Sequence, residues 1–257
     1  MCVGGHCATR QAMQLRPAAY RLFRFLLDFG LPARCGGCGT IVDEVDSFCI
    51  ACWRSLEFLQ GGCSRCGIPL EATDAETCGA CLARPSRLDR MRAAVAYGEI
   101  SRSIALKLKY GRKVGLARTM SRYMRPMLAE LPSGALIVPV PLHRSRLWSR
   151  GFNQSALVAK ELARQTGMSL SVDALKRVRA TPPLKGLSMR QRRRTVAGAF
   201  RANSKAELRG RTVVLVDDVL TTGSTADACA RALRKAGAER VDLISWARVI
   251  RPTQVDA

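Results

Sequence analysis

Carboxylates are scarce in this 257-residue chain. Against 42 Lys and Arg stand 20 Asp and Glu, leaving a net charge of +22 and a pI near 10.5. Such a field favours polyanions: nucleic acid, nucleotides or an acidic membrane surface. A basic soluble protein from an arginine-using genome would show the same charge, so charge alone does not separate these. Uncharged apolar runs of about 18 residues, the length of a membrane span, are missing as well. Met1 to Ala19 has no apolar core of the secretory kind, so no export signal is expected. The rest of the composition, 47% hydrophobic and 24% charged, is that of an ordinary globular protein. The length allows one large domain, or a core domain with an appendage.

The chain is organised around Val213-Val-Leu-Val-Asp-Asp-Val-Leu-Thr-Thr-Gly-Ser-Thr225. Four apolar residues lead into two aspartates, a loop of small hydroxyl residues surrounds one glycine, and a helical pattern follows from Thr225 to Lys235. This reads as a buried parallel strand, a turn at its carboxyl end and a helix N-terminus. The loop amides and the positive end of the helix dipole suit a phosphate. Asp217 and Asp218, just before the loop, suit the hydroxyls of a sugar phosphate. Many doubly wound folds also end a strand in Asp, which is the plainer reading of either half alone.

Cysteine is plentiful. Four Cys-x-x-Cys pairs occur: Cys35/Cys38, Cys49/Cys52, Cys63/Cys66 and Cys78/Cys81. Ten residues separate the first two pairs and eleven the last two, with Gly after Cys38 and Cys66 as a tight knuckle turn requires. Tetrahedral Zn²⁺ needs two such knuckles brought together by a hairpin, so two structural Cys₄ sites are expected; the spacing allows sequential or cross-braced pairing, and sequential pairing is taken here. Four thiolates leave no open coordination position for catalysis. Cys2, His6 and Cys7 read as part of a tail rather than a metal site. Leu15 to Phe29 reads as an amphipathic helix that packs on the neighbouring domain or lies on a membrane.

Alternating strand and helix patterns over 135–248 predict a parallel sheet with right-handed crossovers. The strand Met91–Tyr97 precedes two helices, Ile100–Tyr110 and Val114–Leu131. The strand Ala135–Pro141 ends at two prolines and leads into a loop bearing His143, Arg144 and Arg146; Val241–Ala247 is expected to close the sheet as its last strand. Ligands in such sheets bind at the carboxyl ends of strands, which places the 139–146 loop beside the 217–225 loop. The segment Lys107–Lys113 is either a solvated helix end or a nucleic-acid contact. Between Lys176 and Arg201 lie nine cations and no carboxylate, a pattern that favours anion binding. Few aromatics flank this run, so base stacking is expected to be minor.

The 213–225 stretch resembles the phosphoribosyl-diphosphate (PRPP) motif of type I phosphoribosyltransferases. That resemblance implies that Asp217 and Asp218 hold ribose hydroxyls and that Thr221, Thr222, Gly223, Ser224 and Thr225 bind the 5′-phosphate. Together with the knuckles, Val138–Pro141, Arg150–Gln154, Thr181–Pro183, Gly186–Ser188, Arg192 and Gly198–Phe200, the chain resembles the ComF family of competence-associated phosphoribosyltransferase-like proteins, which includes the GntX proteins. The match runs over about residues 20 to 250.

The resemblance implies a type I phosphoribosyltransferase-like α/β fold, a parallel sheet flanked by helices (88–250), behind a double zinc ribbon (31–84) and an N-terminal tail with its helix (1–30). It implies a cytoplasmic protein of DNA uptake in natural transformation. Single-stranded DNA is the suggested ligand, and proteins of the uptake machinery are the implied partners. Zn²⁺ would be structural, and Mg²⁺ would accompany PRPP. By analogy with glutamine amidophosphoribosyltransferases, Pro141, His143 and Arg144 match the pyrophosphate loop. Arg179 to Arg194 match the flexible loop, with Arg192 acting alongside Asp217 and Asp218. The chain departs from the family pattern at Leu184 and Thr195, both in that loop. The alternative is a working phosphoribosyltransferase on an unidentified base or amine, passing through an oxocarbenium-like ribose.

Overall fold

The computed structural model describes residues 32–70, 75–132, 134–182, 184 and 186–250. The helix expected over Leu15–Phe29 and the group Cys2, His6 and Cys7 lie outside them.

Two one-turn helices, α1 (Ile50–Arg54) and α2 (Gly79–Ala83), each start directly after a cysteine. Then follow β1 (Arg90–Ala96), α3 (Glu99–Tyr110), α4 (Leu116–Met124), β2 (Leu136–Pro139), α5 (Arg144–Arg150), α6 (Gln154–Thr166) and β3 (Ser169–Leu170). The rest of the chain forms β4 (Leu175–Arg177), α7 (Met189–Val196), β5 (Phe200–Ala202), β6 (Thr212–Leu220), α8 (Ser224–Lys235) and β7 (Arg240–Arg248). Five strands make one parallel sheet in the order β1-β7-β6-β2-β3, while β4 and β5 form a separate antiparallel pair.

Three expectations change. The last strand, β7, lies inside the sheet between β1 and β6 rather than at its margin. The helix expected over Val114–Leu131 is α4 followed by a 3₁₀ turn, Arg125–Leu128, where Pro126 cannot continue the α ladder. The loop expected after Pro141 is helix α5: His143 caps its start, its ring nitrogen accepting from the Ser145 amide at 3.3 Å, and Gly151 ends it at φ 81°.

Every residue from Val213 to Val216 is buried, because helices cover both faces of the sheet. Val214 and Val216 face a core built with Ile104 and Leu108 of α3, Met120 of α4 and Leu162 of α6. Val213 and Leu215 face the opposite core, with Cys229 and Leu233 of α8 and Phe200 of β5.

The two cysteine-bearing segments divide between these cores. Cys35 and Cys52 belong to the first and Cys63 and Cys66 to the second. The chain between them runs along the outer edge of β1. Leu59 donates to the Ala94 carbonyl at 3.0 Å, Ala96 to Glu57 at 2.8 Å and Met91 to Arg65 at 2.7 Å. An exposed parallel edge would invite foreign strands, and this segment closes it. The first module is fixed by aromatic stacking: Phe48 lies 5.1 Å from Tyr123 and 6.2 Å from the fully buried Trp246, and Trp53 lies 4.4 Å from Phe58. Among the described residues no helix is long and apolar enough to cross a membrane.

Candidate functional site

The strand β6 is longer than its sequence suggests. It runs past the aspartates to Leu220, because β7 pairs with it as far as Arg248. On the other side β2 stops: Val140 makes the last bond, to the Val216 carbonyl at 2.9 Å, and Pro141 has no amide to continue. From Asp217 onward this edge of β6 is therefore open. The Asp218 amide is taken by the Asp217 carboxylate at 2.9 Å, and the Val219 amide by Asp218 at 2.9 Å.

The two carboxylates have different surroundings. Asp218 is buried at 4% exposure and pairs with Lys109 of α3 at 2.6 Å. Burial works against the Lys109 charge, but Asp218 outweighs it and raises the ammonium pKa. Asp217 accepts from the Ser155 hydroxyl at 3.1 Å. Desolvation first, and then the neighbouring Asp218 charge, pushes Asp217 up to about 7.

The loop beyond keeps its hydroxyls together. Thr222 and Ser224 are 3.0 Å apart at their side-chain oxygens, Thr221 is exposed, and Thr225 is half-buried in the first turn of α8. Gly223 caps α8 at φ 73°, a left-handed conformation costly for other residues. Arg192 of α7 reaches the loop, donating to the Thr221 hydroxyl at 3.3 Å while its Nε is held by the Leu187 carbonyl at 2.8 Å. Thus Asp217, Asp218, the 221–225 loop and Arg192 come together.

Pro141, His143 and Arg144 follow β2, the neighbour of β6, but no hydrogen bond among the described residues joins them to 217–225. The connection runs through α6 instead: Asn153 donates to the Val140 carbonyl at 3.0 Å, and Ser155 holds Asp217.

The run of cations between Lys176 and Arg201 is only partly a surface. Arg190, Arg193 and Arg194 are exposed on α7. Arg177 is half-buried, lies 5.3 Å over the Phe200 ring and donates to the Thr181 hydroxyl, so it is committed to holding β4 and the following turn. Arg179 is turned to the Thr195 and Ala197 carbonyls.

A cavity of about 470 Å³ opens between the 221–224 loop and the second cysteine module. Ile68, Met91, Met189 and Leu220 supply apolar wall, and Arg84, Arg193 and Arg248 supply guanidiniums. Asp227 of α8 ties the linker into this wall, accepting from Ser86 Oγ at 3.1 Å and the Arg87 amide at 2.9 Å.

The eight cysteines form two clusters in sequential pairing: Cys35, Cys38, Cys49 and Cys52, and Cys63, Cys66, Cys78 and Cys81. The ligand atoms of each lie within 4.8 Å of one another. All described cysteines are free thiols. The clusters repeat one pattern: the Cys49 amide donates to Cys35 Sγ at 3.3 Å and the Cys78 amide to Cys63 Sγ at 3.3 Å. Gly39 and Gly67 turn the knuckles at φ 87° and 69°. The Thr40 hydroxyl, then its amide, lowers Cys38 to about 6; burial opposes ionisation of Cys63, but three backbone amides bring it to about 6. Burial pushes Cys52, Cys66 and Cys81 the other way, so each cluster holds thiols of both kinds, and it is the convergence of four sulfurs that fits structural zinc. The ninth described cysteine is different: Cys229 is buried in α8 as core, and burial holds it protonated.

Comparisons agree with this geometry. The family model for a double zinc ribbon domain matches residues 26–82, and that for a phosphoribosyl transferase domain matches 153–256. Competence protein F of Haemophilus influenzae is 33% identical over 225 residues, covering 84% of this chain and 96% of that protein. This chain belongs to the ComF family. DNA utilization protein YhgH of Escherichia coli K12 is 34% identical over 211 residues, 79% of this chain and 90% of its own. Among solved structures, a glutamine PRPP amidotransferase from B. subtilis is similar at 20% identity and TM-score 0.37, over 55% of this chain and 30% of that one.

Sequence reasoning missed Lys109 and Ser155. A signal for Lys109 existed: Ser101, Ile104, Ala105 and Leu108 form the buried face of α3, and Lys109 follows Ala105 by one turn. Ser155 gave none, being one of many serines.

Two outcomes follow from the site. Purified ComF-family protein of this sequence should hold two zinc ions per chain, read by atomic emission, with the eight thiols protected from titration until a chelator is added. Metal-free protein with reactive thiols and an unchanged fold would contradict this. Because the folded pKa of Asp217 is raised, the folded state keeps a proton that the unfolded chain has lost. Stability should therefore fall as pH rises from about 4 to about 7. In Asp217→Asn, denaturant titrations should show this fall reduced, so that the variant gains on the wild type at high pH.

Proposed function

We propose that this chain is a DNA-handling accessory protein of competence or DNA utilization. In this reading it keeps a PRPP-type pocket and also binds single-stranded DNA. The domains are a double zinc ribbon at 31–84, a phosphoribosyltransferase-like unit at 88–250 and a preceding segment at 1–30. The observation that carries the pocket reading is the convergence of Asp217, Asp218, the Thr222–Ser224 hydroxyl pair and Arg192 at the open end of β6. PRPP or a related sugar phosphate would place its 5′-phosphate on the loop and its hydroxyls on the carboxylates. Lys109 neutralises Asp218 in the empty pocket, and an incoming ribose would share that carboxylate with it. Mg²⁺ would arrive with the diphosphate, and its chemistry is charge neutralisation there. The names of both relatives, a competence protein and a DNA utilization protein, support the cellular role.

The exposed cations of α7 support the nucleic-acid side. Trp148 adds to it: this indole is 87% exposed on α5 between Arg146 and Arg150, and so offers the stacking face that the sequence near 176–201 lacked. A working transferase remains the second reading. It is favoured by one observation, that Arg192 already reaches Thr221 as closure over PRPP would require. Release of pyrophosphate from PRPP in the presence of some base or amine would establish it.

PRPP with Mg²⁺ should raise the melting temperature, and Asp217→Ala or Thr222→Ala should remove most of the shift. An equal shift in wild type and both variants would mean that the strand and loop are a fold signature only. Single-stranded DNA should bind with strong salt dependence. Replacing Arg192, Arg193 and Arg194 together by Ala should lower the log–log salt slope by about 2, at about 0.7 per lost phosphate contact. Unchanged affinity and slope in the triple variant would leave these cations without a role in DNA binding.

A further inference from the structure

We propose that the carboxylates, the loop and the adjoining cavity together hold the 3′-terminal dinucleotide of a nucleic-acid strand. The inference rests on the preceding reading, in which the loop takes a phosphate and Asp217 and Asp218 take hydroxyls. The starting observation is where the cavity lies. Thr221, Thr222, Gly223 and Ser224 line it, whereas Asp217, Asp218, Pro141, His143 and Arg144 do not. It therefore opens on the phosphate loop from a side that the sugar and diphosphate positions do not share. An acceptor base for ribosyl transfer would have to approach the sugar, so this cavity does not suit it. A phosphomonoester has no substituent to put there. A phosphodiester has one: the preceding nucleoside.

The walls suit that occupant. A volume of about 470 Å³ lies within the range of small-ligand sites, about 300–1,000 Å³. Met91, Met189 and Leu220 offer apolar surface to a base and its sugar. Arg84, Arg193 and Arg248 offer planar guanidiniums, which both stack on bases and fork onto phosphate oxygens. No aromatic residue is among them, so base identity would be read weakly. Cys66, Cys78, Ala80 and Cys81 form the opposite wall. The second metal cluster is thereby part of the site, and its folding by metal completes the wall.

In DNA the carboxylates restrict the occupant to a strand end. Within a DNA strand every 3′-oxygen is esterified, and no sugar hydroxyl is left for Asp217 or Asp218. Only the terminal nucleotide carries a free 3′-hydroxyl beside a 5′-phosphodiester. A terminal 3′-phosphate would have no hydroxyl to donate to Asp217 and would set its charge beside Asp218, whose one cation is Lys109.

The zinc-loaded full chain would be titrated with 5′-fluorescein dT12 ending in a 3′-hydroxyl or a 3′-phosphate, and with the matching U12 pair, at about 0.15 M salt. Expected is about tenfold tighter binding of the 3′-hydroxyl form, displaced by PRPP. Preference in the T pair, the U pair or both supports the proposal and names the nucleic acid. Ala80→Trp, at an exposed position of α2, should fill the cavity and abolish the preference while leaving the PRPP-induced melting shift intact. The exposed Arg193→Ala should shrink the preference as a second, milder test. A PRPP shift with equal binding of the two ends, or a preference that survives both variants, overturns this inference alone. Absence of the PRPP shift in wild type overturns the pocket reading and this inference with it.

Discussion

The site depends on β6 being paired farther along one edge than the other. The partner β7 runs beside it to Leu220, so the backbone carrying Asp217 and Asp218 is held straight and fixed. The partner β2 ends at Pro139, and the chain after Val140 turns away because proline cannot donate a ladder bond. One side of the strand end is rigid and the other open. Carboxylates on an open edge keep access to a ligand, and a rigid backbone keeps them in register with the loop that follows. Gly223 then turns directly into α8, which aims the helix dipole at the same space. Loss of either constraint would separate the two carboxylates from the hydroxyls of the 221–225 loop.

The metal modules solve a different problem. A parallel sheet leaves β1 with an unpaired edge, and the chain between Cys52 and Cys63 lies along it. Modules of this size bury too little apolar surface to hold such a segment in place by themselves, and metal ligation supplies the missing free energy. The first module adds an aromatic clamp through Phe48, Tyr123 and Trp246, on the face away from the phosphate loop. The second adjoins α7, where the Arg84 guanidinium meets Met189. The two modules thus take separate positions, of which the second adjoins the candidate site.

Much of this was legible in the sequence because the relevant signals are local. Cys-x-x-Cys spacing marks the four knuckles, though not which of them meet, and four apolar residues before Asp217 and Asp218 mark an inner strand whatever surrounds it. The failures are long-range. The inner position of β7 depends on which strands pair, information carried by no single segment. Arg177 looks like any other cation in its run, yet Phe200 and Thr181 turn it inward. Lys109 sits in a basic stretch that reads as a solvated helix end or a nucleic-acid contact, and only the approach of α3 to β6 gives it a partner in Asp218. The cavity beside the loop was not legible at all, since its walls come from widely separated parts of the chain.

The most direct test of the central claim is a crystal structure of the zinc-loaded chain with PRPP and Mg²⁺. Expected is electron density for the 5′-phosphate on residues 221–225, with the ribose hydroxyls on Asp217 and Asp218 and the diphosphate toward the chain that follows β2. Density for PRPP lodged only on the arginines of α7, with the loop empty and Asp218 still closed on Lys109, would contradict it.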